Sequence, residues 1–382
     1  MRVILTGGGT GGHITPLLAV AHKLKQLDPS VEVIYVGERG SRFDSMTEDQ
    51  TVFDSQYKVF AGKFRRYHGE SWLRRLFDFK TNLLNLRDFF YFLFGTIESW
   101  FLLHRLKPDV ILLKGGFVGV PIGLAARKRF PIVTHDSDAL PGLANRLVGR
   151  WAIYHATGMP SEYYQYPEDK VKYVGVIVSD DYKEVDADTK LAYRTQLKLP
   201  AEALVLMVTG GSNGAQSLNQ AFVQLSPTLL KDHPSLHIIH QVGSRNENVY
   251  RNYKDPRLTV SGLLKDMYVY SGAADVIVTR AGANTLAEFG VQSKACVVIP
   301  NPMLTGGHQT KNADFLTQNQ AAVVVNDETL NANIEILKDA IEELLVDANK
   351  RDDLGRKLRK LTVPDAAVNL AKLLIEVGGV GK

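Results

Sequence analysis

The chain has 382 residues, 45% of them hydrophobic and 23% charged, with a formal net charge of +4. That balance is the one found in globular proteins and excludes a disordered, collagen-like or coiled-coil chain, and at ~150 residues per domain the length fits two large domains. The lone cysteine, Cys296, excludes an internal disulfide and a thiolate metal cluster and points to a reducing compartment.

The opening residues run straight from Met1 into glycine without an apolar signal core, so export is not expected. Short β-branched runs at 3–6, 31–36, 110–113, 132–134, 204–209, 236–242, 276–279 and 297–299 alternate with helix-length amphipathic stretches. Continuous apolar strands with helices between them predict parallel sheet covered on both faces, an α/β protein. Twice a strand leads into a glycine turn and then a helix, at Gly7-Gly8-Gly9-Thr10-Gly11-Gly12 and at Gly210-Gly211-Ser212-Asn213-Gly214-Ala215. A doubly wound domain begins this way. Two such beginnings half a chain apart predict tandem Rossmann-like domains over 1–176 and 177–363, with a polar, acidic linker near 173–188. A last amphipathic helix is expected over 364–378, after the stop at Pro364-Asp365. The apolar run 89–97 lies between Arg87-Asp88 and Glu98, short of the ~18 residues a membrane span needs.

The first turn fits G-x-G-x-x-G through Gly7, Gly9 and Gly12, where glycine lets backbone approach a phosphate at a helix N-terminus. With Glu38 at the end of the next strand, the same pattern also suits a nicotinamide dehydrogenase. His13, at the mouth of that turn, suits a general base and equally suits a histidine packed against the helix start. The second turn offers Gly211, Ser212 and Asn213 to a diphosphate. A third turn, Arg280 to Glu288, enters another helix. There Thr285-x-x-Glu288 matches a capping box, so Glu288 either satisfies backbone N–H groups or accepts from ribose hydroxyls. His308 and Gln309, with Asn312, stand in a polar loop after a strand and suit sugar hydroxyls. Asp136-Ser137-Asp138 matches D-x-D, yet two aspartates at a strand end are common and no metal is expected.

The stretch 63–87 gathers Lys63, Arg65, Arg66, Arg74, Arg75, Lys80 and Arg87 against only Glu70 and Asp78, interleaved with Phe64, Tyr67, Trp72, Leu76, Phe77 and Phe79. Cations and rings in one surface element suit reversible docking on anionic lipid, with Arg65, Arg66, Trp72, Arg74, Arg75 and Phe77 as membrane-associating residues. An ordinary amphipathic helix has the same ingredients. No nucleic-acid signature accompanies them, and nucleic acid is not an expected partner.

Taken in order, these blocks resemble the MurG family, the UDP-N-acetylglucosamine:lipid-linked N-acetylmuramoyl-pentapeptide transferases of peptidoglycan synthesis. The resemblance runs through Gly7–His13, Gly62-Lys63-Phe64-Arg65-Arg66-Tyr67, Lys107-Pro108-Asp109, Gly115-Gly116-Phe117-Val118, His135–Asp138 and Pro141-Gly142-Leu143-Ala144-Asn145. It continues through the second and third turns, His308-Gln309 and Pro364-Asp365-Ala366, covering nearly the whole chain. It implies the GT-B glycosyltransferase fold, two Rossmann-like domains facing a cleft, with the last helix crossing back to the first domain. It implies an inverting N-acetylglucosaminyltransferase of cell-wall synthesis, peripheral on the cytoplasmic side of the cell membrane, with UDP-GlcNAc as donor and no tightly bound cofactor.

The resemblance also implies roles. Leu264 would meet uracil, Glu288 the ribose, and Gly211, Ser212 and Asn213 the diphosphate. Arg280, Ala283 and Thr285 would line the third turn, and His308 and Gln309 would hold the GlcNAc. Thr10, Gly11, Gly12, Gly115, Gly116, Asp138 and Asn145 would face the undecaprenyl-diphosphate-linked acceptor, with His13 as base. Two departures stand out: Asp136 replaces the family's usual glutamate, and Gly175-Val176-Ile177-Val178-Ser179 replaces Gly-x-Pro-Val-Arg, so the arginine near uracil is absent or replaced. Transfer to another lipid such as diacylglycerol, a UDP-sugar epimerase, an NAD(P)-dependent dehydrogenase and a silent lipid-sensing protein are the rival readings.

Overall fold

The computed structural model describes residues 1–41, 43–65, 78–250 and 253–380. Contacts divide the chain into two compact units, Met1–Ser179 with the residues from Val363 onward, and Asp180–Thr362.

In the first unit β1 (Arg2–Thr6), β2 (Glu32–Glu38), β3 (Ser55–Val59), β4 (Val110–Leu113), β5 (Ile132–Asp136), β6 (Tyr154–Thr157) and β7 (Val171–Tyr173) form one sheet in the order β3-β2-β1-β4-β5-β6-β7. Every neighbouring pair is parallel. The connections carry α1 (Gly11–Leu27), α2 (Phe79–Leu106), α3 (Gly119–Ala126) and α4 (Leu143–Val148). The second unit repeats the plan: β8 (Leu204–Thr209), β9 (Leu236–Gln241), β10 (Leu258–Ser261), β11 (Val276–Thr279), β12 (Ala295–Val298) and β13 (Val323–Val324) lie in the order β10-β9-β8-β11-β12-β13, again all parallel. Its helices are α5 (Ala187–Gln196), α6 (Gln216–Asp232), α7 (Met267–Ala273), α8 (Ala283–Val291), α9 (His308–Gln318), α10 (Asp327–Ala332), α11 (Glu335–Val346) and α12 (Ala348–Leu361).

The chain then returns to the first unit as α13 (Ala366–Gly379), whose Leu370, Ala371 and Leu374 pack into the same core as Leu17, Val20, Ala21 and Leu24 of α1. Gly175 marks the return. Its φ is +95°, and a Cβ there would stand 2.4 Å from Cβ of Val363, so only glycine admits this approach.

Central strands are apolar on both faces because helices cover both; Val3, Ile4, Leu5 and Val205 to Val208 are essentially inaccessible. In each sheet the strand order reverses beside the first strand, between β1 and β4 and between β8 and β11. Connecting helices leave on opposite faces at such a switch, opening a crevice at the carboxyl ends of the strands where ligands bind. The glycine turns lie at these two places.

Candidate functional site

In the first unit the turn after β1 and the turn after β4 meet. Gly116 has a φ of +77°, and a Cβ on it would fall 2.4 Å from the carbonyl oxygen of Gly8, so backbone packs on backbone here. Thr10 is the N-cap of α1, and Gly11, Gly12 and His13 form its first turn. His13 Nδ1 lies 3.0 Å from the Gly8 carbonyl and 3.1 Å from Thr10 Oγ1. A proton on Nδ1 donated to Gly8 leaves Nε2 with its lone pair. That nitrogen shares the space over Gly115 with the Asn145 amide: a Cβ on Gly115 would stand 3.7 Å from Nε2 and 3.8 Å from Asn145 Nδ2. Burial first, and the Lys114 ammonium second, bring the imidazole down to about 4, while Gly8 and Asp138 oppose them. The ring is therefore a neutral acceptor at neutral pH.

Asn145, on α4, is buried. Its Nδ2 donates to the His135 carbonyl and to Asp136 Oδ1, both at 2.9 Å, whereas its Oδ1 has no hydrogen-bond partner among the described residues. The amide is thus oriented with a bare acceptor beside His13. Asp136 is the anchor of this arrangement, taking the Gly142 N–H at 3.0 Å on Oδ1 and the Tyr166 hydroxyl at 2.9 Å on Oδ2. Tyr166 in turn stacks on His155 with ring centroids 3.7 Å apart. The shorter carboxylate at 136 is used to brace the loop that carries Asp138 and to aim Asn145. Both its oxygens are committed, and among the described residues no cluster of three or more His, Cys, Asp or Glu could hold a metal.

Lys114, directly after β4, escaped the sequence reading. Its ammonium is buried and donates to Ser137 Oγ at 2.9 Å; burial brings it down to about 8, and Asp136 and Asp138 oppose that shift. A charged residue immediately after four buried apolar ones was the available signal. Because a neighbouring cation disfavours imidazolium, Lys114→Met will move the His13 titration, followed by NMR, to higher pH, and Asp138→Asn will move it lower. An unchanged curve in Lys114→Met would remove Lys114 from this role.

In the second unit the turn after β8 and the turn after β11 lie at the switch. Gly214 has a φ of +73° and would place a Cβ 2.0 Å from the Val242 carbonyl; Gly211, also at positive φ, has open space around it. Ser212 and Asn213 are exposed at the tip. Leu264 is buried, its N–H held by Gln241 Oε1 at 3.0 Å. Arg280 turns inward: its guanidinium pairs with Asp327 at 2.6 Å and donates to Ser217 and the Ile299 carbonyl, bracing α6 and α10 beneath the turn. Gln309 is also turned inward, accepting from the Asn301 N–H at 2.9 Å, and Asn312 donates to the Ala281 carbonyl at 2.8 Å. His308 opens α9 after Gly307 in the left-handed conformation.

Glu288 is not a capping residue. α8 starts at Ala283 with Gly282 as its N-cap, so Thr285 already lies inside the helix and the capping-box match does not form. The carboxylate instead takes the hydroxyl of Tyr182, from the connector before α5, and burial pushes it up to about 7 against that hydrogen bond. Tyr182 was also missed; it stands alone in a polar stretch with no motif around it.

Of the membrane-associating candidates, Arg66, Trp72, Arg74, Arg75 and Phe77 lie outside the described residues. Arg65 is held to α2, its Nη1 2.7 Å from the buried Asp88, which Arg87 also meets at 2.7 Å. α2 itself is built inside out. Asp88, Gly95, Ser99, Leu103 and Leu106 form its buried edge. Phe79, Leu83, Leu86, Phe90, Phe94, Ile97 and Phe101 are exposed, by 48–75%. At 100° per residue these seven fall within an arc of about 80° on the opposite side. The apolar surface therefore continues well past residue 87, where the sequence reading ended it. No described helix is long and apolar enough to cross a membrane.

Two parallel sheets with a glycine turn at each switch point define a doubly wound architecture of two Rossmann-like units, and comparison makes the class specific. Residues 3–156 match the glycosyltransferase family 28 N-terminal domain, and residues 205–370 the glycosyltransferase family 28 C-terminal domain. Similar proteins include the UDP-N-acetylglucosamine–N-acetylmuramyl-(pentapeptide) pyrophosphoryl-undecaprenol N-acetylglucosamine transferases of Natranaerobius thermophilus, 32% identical over 98% of this chain and 99% of that one, and of Bacillus pumilus, 30% identical over 99% of both. Among solved structures, MurG of Acinetobacter baumannii superposes with a TM-score of 0.71 at 25% identity over 98% of this chain and 99% of that one. A UDP-GlcNAc 2-epimerase from Neisseria meningitidis, 13% identical over 99% of both chains with a TM-score of 0.59, shares the fold alone. The chain has the GT-B fold and is a glycosyltransferase. It belongs to the MurG family.

Proposed function

We propose that the chain transfers N-acetylglucosamine from UDP-N-acetylglucosamine to a lipid-linked N-acetylmuramoyl-pentapeptide, with inversion at the anomeric carbon. The observation that carries the reading is His13: a neutral imidazole with Nε2 open over Gly115, at the switch point of the first sheet, in a chain of this family. Nε2 takes the proton from the acceptor's sugar hydroxyl as its oxygen attacks the anomeric carbon from the face opposite UDP. The bond to the diphosphate breaks through an oxocarbenium-like state, and UDP leaves. Backbone N–H groups of the turn 210–215 stabilise the charge developing on the departing diphosphate. Glu288 receives ribose hydroxyls, Leu264 meets uracil through its backbone, and His308 and Gln309 lie on the GlcNAc side. Thr10–Gly12, Gly115–Gly116, Asp138 and the bare Oδ1 of Asn145 face the acceptor.

The exposed stripe of α2, with Lys63, Arg65, Lys80 and Arg87 near its N-terminal end, is the docking face for an anionic membrane surface, which supports a peripheral protein that reaches a lipid-borne acceptor from the cytoplasmic side. Nothing in the fold or its relatives favours a dehydrogenase on Gly7–Gly12 and Glu38. The deciding experiment is turnover of UDP-GlcNAc with purified lipid-linked muramoyl acceptor beside diacylglycerol, with the product identified. Transfer to the muramoyl lipid is expected; transfer only to diacylglycerol would overturn the assignment. UDP is expected to bind and NADH not to compete.

A further inference from the structure

The linker of this chain has no arginine after Gly175, yet the connector that follows contributes a side chain to the second unit's switch point. Tyr182 hydrogen-bonds Glu288 on α8, and its ring meets Tyr268 of α7 edge to face at 6.2 Å. Tyr268 is itself fixed from two sides. Tyr193 of α5 packs on it at 6.1 Å, and Gln292, one turn beyond Glu288, donates to the Tyr268 carbonyl at 2.8 Å while accepting from Ser271 at 2.6 Å. α7 and α8 are thereby held at a set spacing, with the Tyr182 ring against one and its hydroxyl against the other. At the connector's end, Asp186 caps α5 by accepting from the Thr189 N–H at 2.8 Å. The tyrosine is positioned from both of its chain neighbours' elements and by the surface it covers.

A carboxylate that must accept hydrogen bonds from a vicinal diol needs its charge and a fixed orientation. We infer that Tyr182 is a positioning residue for donor recognition: its hydroxyl holds one side of the Glu288 carboxylate so that the other is presented, ionised, to the ribose diol of a uridine diphosphate sugar. The inference rests on the reading of Glu288 given above. Its geometry stands apart from that reading, because Tyr182 donates to a partly buried carboxylate on the helix that follows the third turn. Burial favours the protonated acid, and the tyrosine hydroxyl opposes it; Asp181 is the charged group beside Tyr182. Without the hydroxyl, a larger share of Glu288 is protonated at neutral pH and can no longer accept from both ribose hydroxyls.

The test is Tyr182→Phe, which keeps the ring against Tyr268, compared with Glu288→Gln by UDP titration and by steady-state kinetics across pH. At pH 7 Tyr182→Phe is expected to raise the KM for UDP-GlcNAc and the Kd for UDP by about tenfold, the usual worth of a hydrogen bond to a charged group, with kcat within about threefold of the parent. The loss will shrink as the pH is raised, because Glu288 then ionises without help. The penalty for UDP lacking the ribose 2′-hydroxyl will also be smaller in the variant than in the parent at pH 7. A loss in Tyr182→Phe that is the same at every pH, or no loss while Glu288→Gln weakens UDP, would overturn the role of Tyr182 and leave the ribose reading standing. Unchanged UDP affinity in Glu288→Gln would overturn the ribose reading itself.

Discussion

Replacing His13 with alanine is expected to lower kcat by about 10²–10⁴-fold, the range a positioned general base supplies, while the Kd for UDP stays within about twofold of the parent. The separation follows from where the groups sit. His13 is in the first turn of α1 in the first unit, whereas the residues assigned to uridine diphosphate, from Gly211 to Glu288, all belong to the second. Protonation has a definite sign here. An imidazolium cannot accept the acceptor's proton, so activity is lost as pH falls through the pKa of His13, and in the free enzyme burial and Lys114 place that near 4. The His13 limb of kcat/KM, which reports the free enzyme, is therefore expected near pH 4, below the limb that protonation of Glu288 imposes on capture of UDP-GlcNAc. An acceptor bearing a diphosphate adds negative charge beside the ring and favours imidazolium, so the His13 limb of kcat should lie at higher pH than the His13 limb of kcat/KM. A His13→Ala enzyme that turns over within tenfold of the parent would remove the histidine from the base role.

The sequence made the inner part of both sheets legible and left their margins dark. Strands β1, β2, β4 and β5, and β8, β9, β11 and β12, were readable because helices cover both faces and the runs are almost wholly apolar. The strands not foreseen are β3, β6, β7, β10 and β13, and four of these five are the outermost strands of their sheets. An edge strand meets solvent along one side, so Ser55-Gln56-Tyr57-Lys58-Val59 or Val171-Lys172-Tyr173 carries no pattern that separates it from a loop. The glycine turns were visible for the converse reason: positive φ and backbone contact at Gly116 and Gly214 tolerate no other residue. What failed were inferences needing a three-dimensional partner. Thr285-x-x-Glu288 satisfies the capping-box spacing, but the helix begins at Ala283, and only the fold shows the carboxylate on Tyr182. Arg280 and Gln309, expected on the donor side, also have partners within the protein, Asp327 and Ser217 for the one and the Asn301 N–H for the other, which no motif announced. Lys114 and Tyr182 belong to no motif. α2 departs from the ordinary amphipathic helix, the alternative to lipid docking, whose apolar face turns inward. Here Gly62 and Gly95 let the chain at Phe60–Gly62 cross so closely on the polar and small-residue edge that this edge is buried instead: a Cβ on Gly95 would overlap the Phe60 carbonyl, and one on Gly62 the Asp88 carbonyl.

That inversion leads to the second large effect. Substituting Phe90, Phe94 and Phe101 together with glutamate is expected to abolish binding to vesicles of phosphatidylcholine and phosphatidylglycerol, a loss of more than about 10²-fold in partitioning. Fully burying one such ring contributes about 1.5–3 kcal/mol, and even partial insertion of three exceeds the roughly 2.7 kcal/mol that a hundredfold change requires. Glutamate adds repulsion from anionic headgroups. The three side chains are 48%, 56% and 63% exposed, so their replacement removes little from the core and thermal unfolding should barely move. Two further measurements separate apolar from ionic docking. Raising salt weakens the contribution of Lys80 and Arg87, because exposed charges are screened over about 8–10 Å, but leaves the rings' contribution intact. The parent should therefore retain part of its vesicle binding at high salt, and the triple variant none at any salt. Turnover with a water-soluble, short-chain acceptor should be preserved in the triple variant, and turnover of acceptor embedded in vesicles should collapse. If the variant sediments with vesicles as the parent does, the α2 stripe is not the docking face.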